Sequence, residues 1–491
     1  MPLIIPGNSQ ASTGFTIDQS IRFNGVDTPQ LTRTPSSGGN QDKWTFSCWV
    51  KRGKFGQSGG GGSHQVFLSA GNDVNNFTFF GFRDSGSLPS GGVAESLNLV
   101  GSVGGSTPFE LSTTQVFRDP SAWSHIVGVY DSGNSVSSER CRVYVNGSRI
   151  TEFNVETYPS QNQDSDVNES GVVQRVGAFN LGGNKGHLDG YMAEIVLIDG
   201  QALDPSSFGE YNSSNIWVPK DVSGLTFGTN GFHIKGQDSS DLGNDSSGNN
   251  NDYTTSGLAS HDQMADSPTN NYAVMNPLDT HSTPNWTLSN GNLDVVWSGA
   301  NYVNSLFSTL SMPATGKWYF EIEFDAESGS IITNQTMRIG LMREDINAAY
   351  TQANSSVDLT NGATTPEILV ILGNAGNAPQ LKGMGSTINN VVGSMSAGDR
   401  INFARNGANL WVGRNGTYYN SGNPATGSNP SLSNLQLQGY RANMHFTNSN
   451  SDSITLKAYF GSDKSIGSGT GFNDTVPSGF KALNTVNLGE A

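Results

Sequence analysis

The chain has 491 residues, a formal net charge of −16 and a pI near 4.7, so its field repels phosphate backbones and argues against nucleic-acid binding. Charged residues make up only 14% of the chain, against about 25% in a typical soluble protein, while 61 glycines and 19 prolines make turns frequent. Phe, Trp and Tyr recur along the whole chain, which excludes disorder throughout, and the length predicts two domains.

The N-terminal arm, residues 1–14, is short, apolar and rich in Pro and Gly. Its first ten residues, MPLIIPGNSQ, lack the basic n-region and the long apolar h-region of a signal peptide. No later segment approaches the ~18 apolar residues that a membrane span needs. We therefore expect neither ordinary secretion nor membrane insertion.

Alternation with a period of two dominates the chain from residue 15 onward. In KWTFSCWVK (43–51), Trp44, Phe46, Cys48 and Val50 face one way, and the residues between them face the other. The same pattern recurs in both halves, in SHIVGVYD, CRVYVNG, AEIVLID, KWYFEIEF, EILVIL, INFARNG, LWVGRNG and ITLKAYFG. The sequence thus predicts an all-β protein.

Turn signals separate the predicted strands. Asn146-Gly147, Asn406-Gly407 and Asn415-Gly416 predict hairpins, because both residue types tolerate a positive φ. The best helix candidate is short, DPSSFGEY (204–211), where Asp204 would cap a turn that Pro205 opens.

Residues 15–216 resemble a laminin-G/concanavalin-type jelly roll. The resemblance rests on ordered pieces: SIRFNGVDTPQLTRTP, KWTFSCWVK, AWSHIVGVYD, RCRVYVNGSRITEF and RVGAFNLGGNKGHLDGYMAEIVLIDGQAL. The stretch LDGYMAEIVLIDGQALDPSSFGEY is similar to versions of this domain in bacteriophage structural proteins. The resemblance implies carbohydrate binding, in some members with calcium on the rim.

Several residues of this first domain are candidates for a functional role. Asp131 and Asn134 lie in a turn (DSGN) and offer either calcium ligands or caps for their own backbone, and we favour caps. His125 alternates with Trp123 in a strand, so we predict that it packs in the core. Cys48 and Cys141 are too few for a disulfide framework, and we favour two buried free thiols over one bridge.

Residues 217–284 are dense in Asn, Asp, Ser and Gly, above all in GQDSSDLGNDSSGNNNDYTTSG (236–257). This composition offers little to bury. We predict an extended polar connector that Phe232, Tyr253 and Met275 pin to the neighbouring domains.

Residues 285–491 resemble a SPRY domain, a β-sandwich used for recognition. The matching pieces are TGKWYFEIEF, MRIGLM, AGDRINFARNGANLWVGRNGTYYN, SITLKAYFGSD and VPSGFKALNT. The last piece is similar to the end of phage tail and virion proteins. The expected architecture is therefore two β-sandwiches in tandem, joined by the connector.

Within TGKWYFEIEF and its continuation, EFDAE (323–327) resembles the acidic strand of laminarinase-type glycanases. Alternation predicts that an apolar row fills the sandwich and that an acidic row faces solvent. The apolar row is Trp318, Phe320, Ile322, Phe324 and Ala326, and the acidic row is Glu321, Glu323, Asp325 and Glu327. Neighbours in one row lie ~6.6 Å apart, a spacing compatible with glycoside chemistry. We nevertheless favour a solvated, non-catalytic row, because the strand opens the SPRY-like domain rather than lining a cleft of the first domain.

No catalytic residue, metal ligand set or cofactor motif is predicted, and the seven histidines are scattered. Five aromatic residues of the second half would stack on sugar rings where they are exposed, and we expect half or more of them in the core. They are Trp297, Tyr302, Trp411, Tyr418 and Tyr419.

Taken together, the resemblances imply a non-enzymatic bacteriophage virion protein that assembles in the host cytoplasm and leaves by lysis. The first hypothesis is host attachment as a tail-fibre or knob-like protein that recognises a surface glycan or protein, with residues 1–14 as its virion anchor. The alternatives are capsid decoration without receptor binding, a polysaccharide depolymerase, and a cellular adhesin, which would need an export signal. The expected partners are other virion proteins and further copies of the chain.

Overall fold

The structure is a computed structural model of the chain. It describes residues 14–55, 64–83, 92–182, 184–279, 286–298, 302–328, 336–345, 367–371, 379–384, 386–448 and 452–489. Within these ranges the chain forms two compact units, residues 14–271 and 272–489. The predicted anchor, residues 1–14, lies outside them except for its last residue. Strands dominate both units, which confirms the predicted all-β class.

The first unit contains strands β1 to β20. They are β1 (Ser20–Phe23), β2 (Gln30–Arg33), β3 (Lys43–Arg52), β4 (His64–Asp73), β5 (Asn76–Arg83), β6 (Ser96–Val103), β7 (Ser106–Val116), β8 (Ser124–Asp131), β9 (Cys141–Val145), β10 (Ser148–Arg149), β11 (Phe153–Thr157), β12 (Gln174–Val176), β13 (Ala178–Leu181), β14 (Asn184–His187), β15 (Gly190–Asp199), β16 (Gly209–Tyr211), β17 (Trp217–Pro219), β18 (Phe232–Ile234), β19 (Thr254–Ser256) and β20 (Gln263–Met264). Single 3-10 turns connect some of them: Gly25–Asp27, Ser137–Glu139, Pro205–Ser207 and Ser260–Asp262.

Two antiparallel sheets enclose the core of this unit. One has the order β10-β9-β8-β3-β15-β1-β20, with β18 also paired to β15, and the other has the order β11-β7-β6-β5-β4-β12-β2-β19. Trp44, Phe46, Cys48 and Val50 of β3 all lie in the core cluster, as their alternation predicts. The residues between them, such as Trp49, are buried as well, because further segments cover the outer face of the sheet.

The two cysteines lie on the core side of β3 and β9. Both Cys48 and Cys141 are buried free thiols, as predicted, and burial raises the pKa of each. A thiol that is buried and protonated reacts slowly, so these residues act as small apolar side chains.

The hairpin predicted around Asn146-Gly147 is present. Strands β8 and β9 pair antiparallel, and Asn146 and Gly147 both have positive φ (47° and 80°) where the chain turns back into β10. The predicted helix at 204–211 is only the 3-10 turn Pro205–Ser207, and the side chain of Asp204 does not cap it.

The predicted connector requires correction. Residues 217–271 belong to the first unit, where β18 pairs with β15, β19 with β2 and β20 with β1. Phe232 and Tyr253 lie in the main core cluster. Asp245 replaces the missing apolar contacts with hydrogen bonds, since its carboxylate accepts from the backbone N–H groups of His233 and Asn251. Polar side chains thus hold a segment whose composition predicts little burial.

Among its described residues, the second unit has strands β21 to β33 and a short helix. They are β21 (Trp286–Ser289), β22 (Asp294–Ser298), β23 (Tyr302–Met312), β24 (Lys317–Ser328), β25 (Thr336–Arg343), β26 (Glu367–Ile371), β27 (Gln380–Gly383), β28 (Ser386–Asn389), β29 (Arg400–Asn406), β30 (Asn409–Arg414), β31 (Thr417–Tyr418), β32 (Tyr440–Asn448), β33 (Ser453–Tyr459) and α1 (Thr485–Leu488). Its 3-10 turns are Tyr419–Ser421 and Gly467–Gly469.

Two further antiparallel sheets build this unit. The seven-stranded sheet has the order β21-β22-β33-β24-β29-β30-β31, and the six-stranded sheet has the order β23-β32-β25-β26-β27-β28. Trp297 of the first sheet stacks on Phe446 of the second, with ring centroids 5.4 Å apart, and so marks the core between them. The apolar row of β24 from Trp318 to Phe324 is buried, as predicted.

The alternation of β24 fails after Phe324. The register against β33 shifts between Phe324 and Ala326, which is the signature of a β-bulge. Ala326 is therefore exposed, although the alternation predicts that it fills the sandwich. Asp325 forms an ion pair with Lys457, at 2.7 Å between carboxylate and ammonium.

The turn signals of the second unit differ in their geometry. Asn415 and Gly416 both have positive φ, as the dipeptide predicts for a two-residue turn. At Asn406-Gly407 only Gly407 has a positive φ, because Asn406 is still paired with Asn409 in the ladder. The turn therefore lies one residue later than predicted.

Candidate functional site

Glu321, the first carboxylate of the predicted acidic row, is not solvated. Its side chain is 0% exposed, which corrects the prediction that it faces water. One carboxylate oxygen accepts hydrogen bonds from the Tyr319 hydroxyl (2.7 Å) and the Asp474 backbone N–H (3.0 Å), and the other accepts from the Asn473 backbone N–H (3.0 Å). Burial raises the pKa of the Glu321 carboxyl, and these donors oppose that shift.

The donors of Glu321 belong to the segment that ends the second unit, residues 472–485, which we call the closing segment. It lies on the outer face of the seven-stranded sheet, where Phe472 and Phe480 pack against Tyr319 and Trp411. Its Lys481 exchanges backbone hydrogen bonds with β24, at 2.9 and 3.0 Å. The local alternation of β24 cannot reveal this cover, because Asn473 and Asp474 lie 152 and 153 positions after Glu321 in the chain.

A second carboxylate, that of Asp474, also anchors the closing segment. Asp474 of the closing segment binds the Arg400 guanidinium through both oxygens (3.2 Å each) and accepts from the Asn402 amide (2.9 Å). Glu323 accepts from the Tyr459 hydroxyl (3.2 Å) and lies 3.8 Å from Arg400. Of the four acids of the row, only Glu327 is exposed, as predicted. The arrangement fixes the closing segment to the sheet, and both oxygens of Glu321 are occupied in doing so.

The four sugar-stacking candidates whose side chains the structure describes do not all lie together. Trp297 lies in the core between the sheets, and Trp411 is buried beneath the closing segment. Tyr418 and Tyr419 are half-buried near the 3-10 turn Tyr419–Ser421. Tyr302 begins β23, and its side chain lies outside the part of the structure that is described.

In the first unit, His125 is buried as predicted but also contacts a serine. Its Nε2 lies 2.8 Å from the Ser47 hydroxyl, beside a cavity of about 10 Å³ that Glu194 also lines. The Trp217 indole N–H, which can only donate, lies 3.0 Å from His125 Nδ1. Nδ1 is therefore the acceptor, and Nε2 carries the proton and donates to Ser47. A serine nucleophile needs the opposite polarity, so this pair does not activate Ser47. Burial lowers the pKa of His125 to about 3, which keeps the ring neutral.

The side chains of the DSGN turn, residues 131–134, make contacts with nearby protein groups. The Asn134 side chain accepts from the Val136 backbone N–H (3.0 Å), and Asp131 lies 3.2 Å from the Lys43 ammonium. The Asn134 contact fits the capping role that we favoured, whereas the Asp131 carboxylate pairs with a lysine side chain. Among the residues that the structure describes, no group of three or more His, Cys, Asp or Glu side chains could hold a metal ion. No helix in the same ranges is long and apolar enough to cross a membrane.

Asp189 is a buried carboxyl near the 3-10 turn Gly25–Asp27. It is 1% exposed, and its Oδ1 accepts no hydrogen bond from the described residues. Burial raises its pKa to about 6, although Lys54, Arg52 and the Gly25 backbone N–H favour the charged form. The folded state therefore holds a proton between pH 4 and 6 that the unfolded chain has released.

Replacing Asp189 by asparagine should remove a pH dependence. Because the pKa is raised in the folded state, the stabilisation is complete below the unfolded value near 4 and is lost as pH rises to about 6. The loss amounts to about 3 kcal/mol for a shift of roughly two units in a buried group. Asp189→Asn should therefore match the parent at pH 4 and exceed it by about that amount at pH 7, as measured by urea unfolding. Asp241→Asn, at an exposed position, is the control, and equal slopes for the parent and Asp189→Asn would contradict the assignment.

Tyr211 is the most exposed Phe, Trp or Tyr side chain among the described residues, with 50% of its area exposed. Its ring meets the Trp217 ring edge to face, with centroids 4.9 Å apart. Its hydroxyl lies 3.3 Å from the Asn146 carbonyl and 3.5 Å from the Ser148 hydroxyl. Trp217 is itself held by its hydrogen bond to His125. The exposed ring is therefore fixed in place before any ligand arrives.

Polar groups surround this ring on the edge strand β10. Arg149 binds Glu139 at 2.7 Å and also donates to the Ser138 carbonyl at 2.8 Å. We call Tyr211, Asn146, Ser148, Arg149 and Glu139 the Tyr211 patch. Gly147 completes its floor, since a Cβ there would lie 2.5 Å from the Trp217 ring. The sequence analysis did not single out Tyr211, because a lone tyrosine at the end of the predicted helix 204–211 carries no signal of a binding site.

Residues 24–206 match the family described as the Concanavalin A-like lectin/glucanases superfamily. The first unit thus contains a concanavalin-like, laminin G fold, as the sequence predicts. No curated protein matches the chain.

Solved structures that resemble the chain share little sequence with it. Domains LG4-5 of the mouse laminin alpha1 chain are 8% identical, with 93% of each chain covered and a TM-score of 0.29. Domain 4 of AbnA, a GH43 extracellular arabinanase from Geobacillus stearothermophilus solved with arabinotriose, is 15% identical, with 34% of this chain and 65% of that chain covered and a TM-score of 0.23. Full-length tailspike protein 2 of the Escherichia coli O157:H7 bacteriophage CAB120 is 12% identical, with 41% of this chain and 28% of that chain covered and a TM-score of 0.25.

Proposed function

We propose that the chain is a non-enzymatic bacteriophage virion protein that recognises a glycan on the host surface, as a tail-fibre or knob-like protein does. The lectin-like fold of the first unit supports glycan recognition. The ordered motifs of both halves, with the phage-like ending VPSGFKALNT, support the virion origin. On this proposal the second unit is a SPRY-like recognition sandwich, and the protein works on the assembled particle with other virion proteins and further copies of itself.

The Tyr211 patch is the observation that carries the proposal. A rigid, half-exposed aromatic ring beside hydroxyl, amide, guanidinium and carboxylate groups has the composition of a carbohydrate site, because a sugar ring presents both an apolar face and hydroxyl edges. Rigidity matters as well, since a ring that is already held loses little entropy on binding.

A binding measurement tests the role of Tyr211. We expect the purified chain to bind surface polysaccharide extracted from the host, and Tyr211→Ala to weaken that binding at least tenfold, which is about 1.4 kcal/mol. Surface plasmon resonance on the immobilised polysaccharide gives the affinities. Tyr419→Ala, a half-buried tyrosine of the other unit, is the matched control. Unchanged affinity in Tyr211→Ala, with the fold confirmed by circular dichroism, would remove the patch from the proposal.

The place of the protein on the particle separates attachment from capsid decoration. Immunogold labelling of intact virions should mark the tail. Labelling over the head surface, together with no inhibition of adsorption by the free chain, would favour decoration. Release of reducing sugar from the polysaccharide by the parent chain would instead support a depolymerase and contradict the non-enzymatic role.

A further inference from the structure

Lys51 of β3 is closed off from solvent in the first unit. It is 0% exposed, although a lysine is almost never fully buried without a charged partner. Its Nζ lies 2.7 Å from the Asp266 carboxylate and 2.7 Å from the side-chain carbonyl oxygen of Asn271. Asp266 and Asn271 are 0% exposed as well. We call these three side chains the Lys51 triad. It brings an amine, an amide and a carboxylate into direct contact.

Further hydrogen bonds fix the two partners of Lys51. One oxygen of Asp266 accepts from Lys51, and the other accepts from the Trp123 indole N–H at 2.9 Å. The Asn271 amide nitrogen donates to the Ser121 backbone carbonyl at 2.5 Å, which leaves its carbonyl group turned toward Lys51. Groups that are held in contact in this way react as parts of one molecule, without the entropy cost of an encounter.

Aromatic rings enclose the Lys51 triad. The Lys51 Nζ lies 5.6 Å from the centroid of the Tyr191 ring, and that ring lies 6.3 Å from the Trp123 ring. Both rings are 1% exposed. Water is therefore kept away from the amine and from the amide carbon, where it would compete as a nucleophile.

Burial also favours the reactive form of the amine. It lowers the pKa of Lys51, although the Asp266 carboxylate opposes that shift. An amine is a nucleophile only when it is neutral, and the proton that it must lose has an acceptor in Asp266. The carbon to be attacked is near, because a carbonyl carbon lies about 1.2 Å from its oxygen, which puts Asn271 Cγ within about 4 Å of Nζ.

We propose that Lys51 and Asn271 form an intramolecular isopeptide bond, with Asp266 as the proton carrier. The Lys51 ammonium first gives a proton to the Asp266 carboxylate. The neutral Nζ then attacks Asn271 Cγ; the Nζ–Cγ bond forms, and the Cγ–Nδ2 bond breaks with its electron pair on Nδ2. Asp266 passes its proton to Nδ2 and takes one from Nζ. Ammonia leaves, Nζ keeps one hydrogen as an amide, and Asp266 ends protonated. The reaction needs no co-reactant.

The bond joins β3 to the last residue of the first unit. Residues 51–271, with strands β4 to β20, then form one covalent loop. A cross-link across a long loop restricts the unfolded chain more than one across a short loop, so it stabilises the first unit against unfolding. The inference is independent of the proposed glycan recognition, which rests on other residues.

Mass spectrometry of the purified full chain tests the bond. Under denaturing conditions, we expect an intact mass lower than that of the sequence by one molecule of ammonia. A peptide map should place Lys51 and Asn271 in a single branched peptide. The map is needed because an Asn-Gly pair such as Asn146-Gly147 also loses ammonia when it closes to a succinimide, but without joining two peptides. Unmodified Lys51 and Asn271 peptides from the parent chain would overturn the inference.

Three variants test the roles within the triad. Lys51→Arg and Asn271→Ala should each abolish the branched peptide, because one reacting group is missing. Asp266→Asn should reduce its yield at least tenfold, and a yield equal to that of the parent would contradict the role of Asp266 as proton carrier. Near-ultraviolet circular dichroism shows whether each variant is folded, and where one is not, the peptide map of the parent decides alone.

Asn98→Ala is the matched control. Asn98 is also 0% exposed in the first unit, and its oxygen accepts from the Arg83 guanidinium at 3.3 Å. A guanidinium does not lose its proton in a protein, so this pair cannot react. The control should therefore keep the branched peptide of Lys51 and Asn271 at the level of the parent. Loss of that peptide in a folded Asn98→Ala chain would show that the variants act through general destabilisation and would contradict the assignment.

Discussion

Replacing Glu321 by alanine is expected to lower the free energy of unfolding by about 3 kcal/mol, because hydrogen bonds to a buried charged group contribute roughly 1.5–3 kcal/mol each and their donors would be left unpaired. The variant loses the acceptor of the Tyr319 hydroxyl and of two backbone N–H groups in the closing segment. Urea unfolding at pH 7 measures the loss. Protease digestion should show in addition that the closing segment is cleaved first, since Glu321 fixes it to the sheet.

Glu327→Ala is the matched control for Glu321. It lies on the same strand but is exposed, so its effect should stay within about 0.5 kcal/mol. Equal effects at the two positions would mean that Glu321 does not anchor the closing segment. Glu321→Gln should fall between the two, because it keeps one acceptor oxygen and presents an amide N–H₂ to a backbone donor.

Replacing Trp318 by alanine should have the largest effect, a loss of about 3–5 kcal/mol in the free energy of unfolding, as is typical of a large side chain deleted from a core. Trp318 is 1% exposed, and its indole N–H donates to the Thr315 carbonyl at 2.7 Å. The surrounding strands of the sandwich cannot collapse into the cavity that remains. Thermal and urea unfolding of the purified variant provide the measurement.

Val296→Ala is the control for Trp318→Ala, because it also truncates an apolar side chain of the seven-stranded sheet. Val296 points outward from β22 and is 37% exposed, so its truncation should cost less than about 0.5 kcal/mol. A small effect at Trp318, comparable to that at Val296, would refute the assignment of the Trp318 row to the core.

The fold class and the inner faces of the sheets follow from the sequence alone. A period-two pattern needs only neighbouring residues, and it correctly predicts which side chains of β3 enter the core. The turn at Asn146-Gly147 follows from local chemistry too, since both residue types accept positive φ. The core position of Trp318 follows from the same kind of pattern, and the free state of Cys48 and Cys141 was predicted from their small number.

The outer faces were decided by the tertiary structure alone. The alternation predicts that the side chain of Glu321 points away from the core. Whether such an outer face is exposed to water depends on whether a segment distant in sequence covers it. Tyr211 becomes a rigid exposed ring only because Trp217 and the Asn146 turn meet it. The polar segment 217–271 joins the first unit through hydrogen bonds of Asp245 and through pairing with β15, β2 and β1. Burial by segments distant in the chain produces no periodic pattern in the local sequence. These features therefore could not be predicted from the sequence.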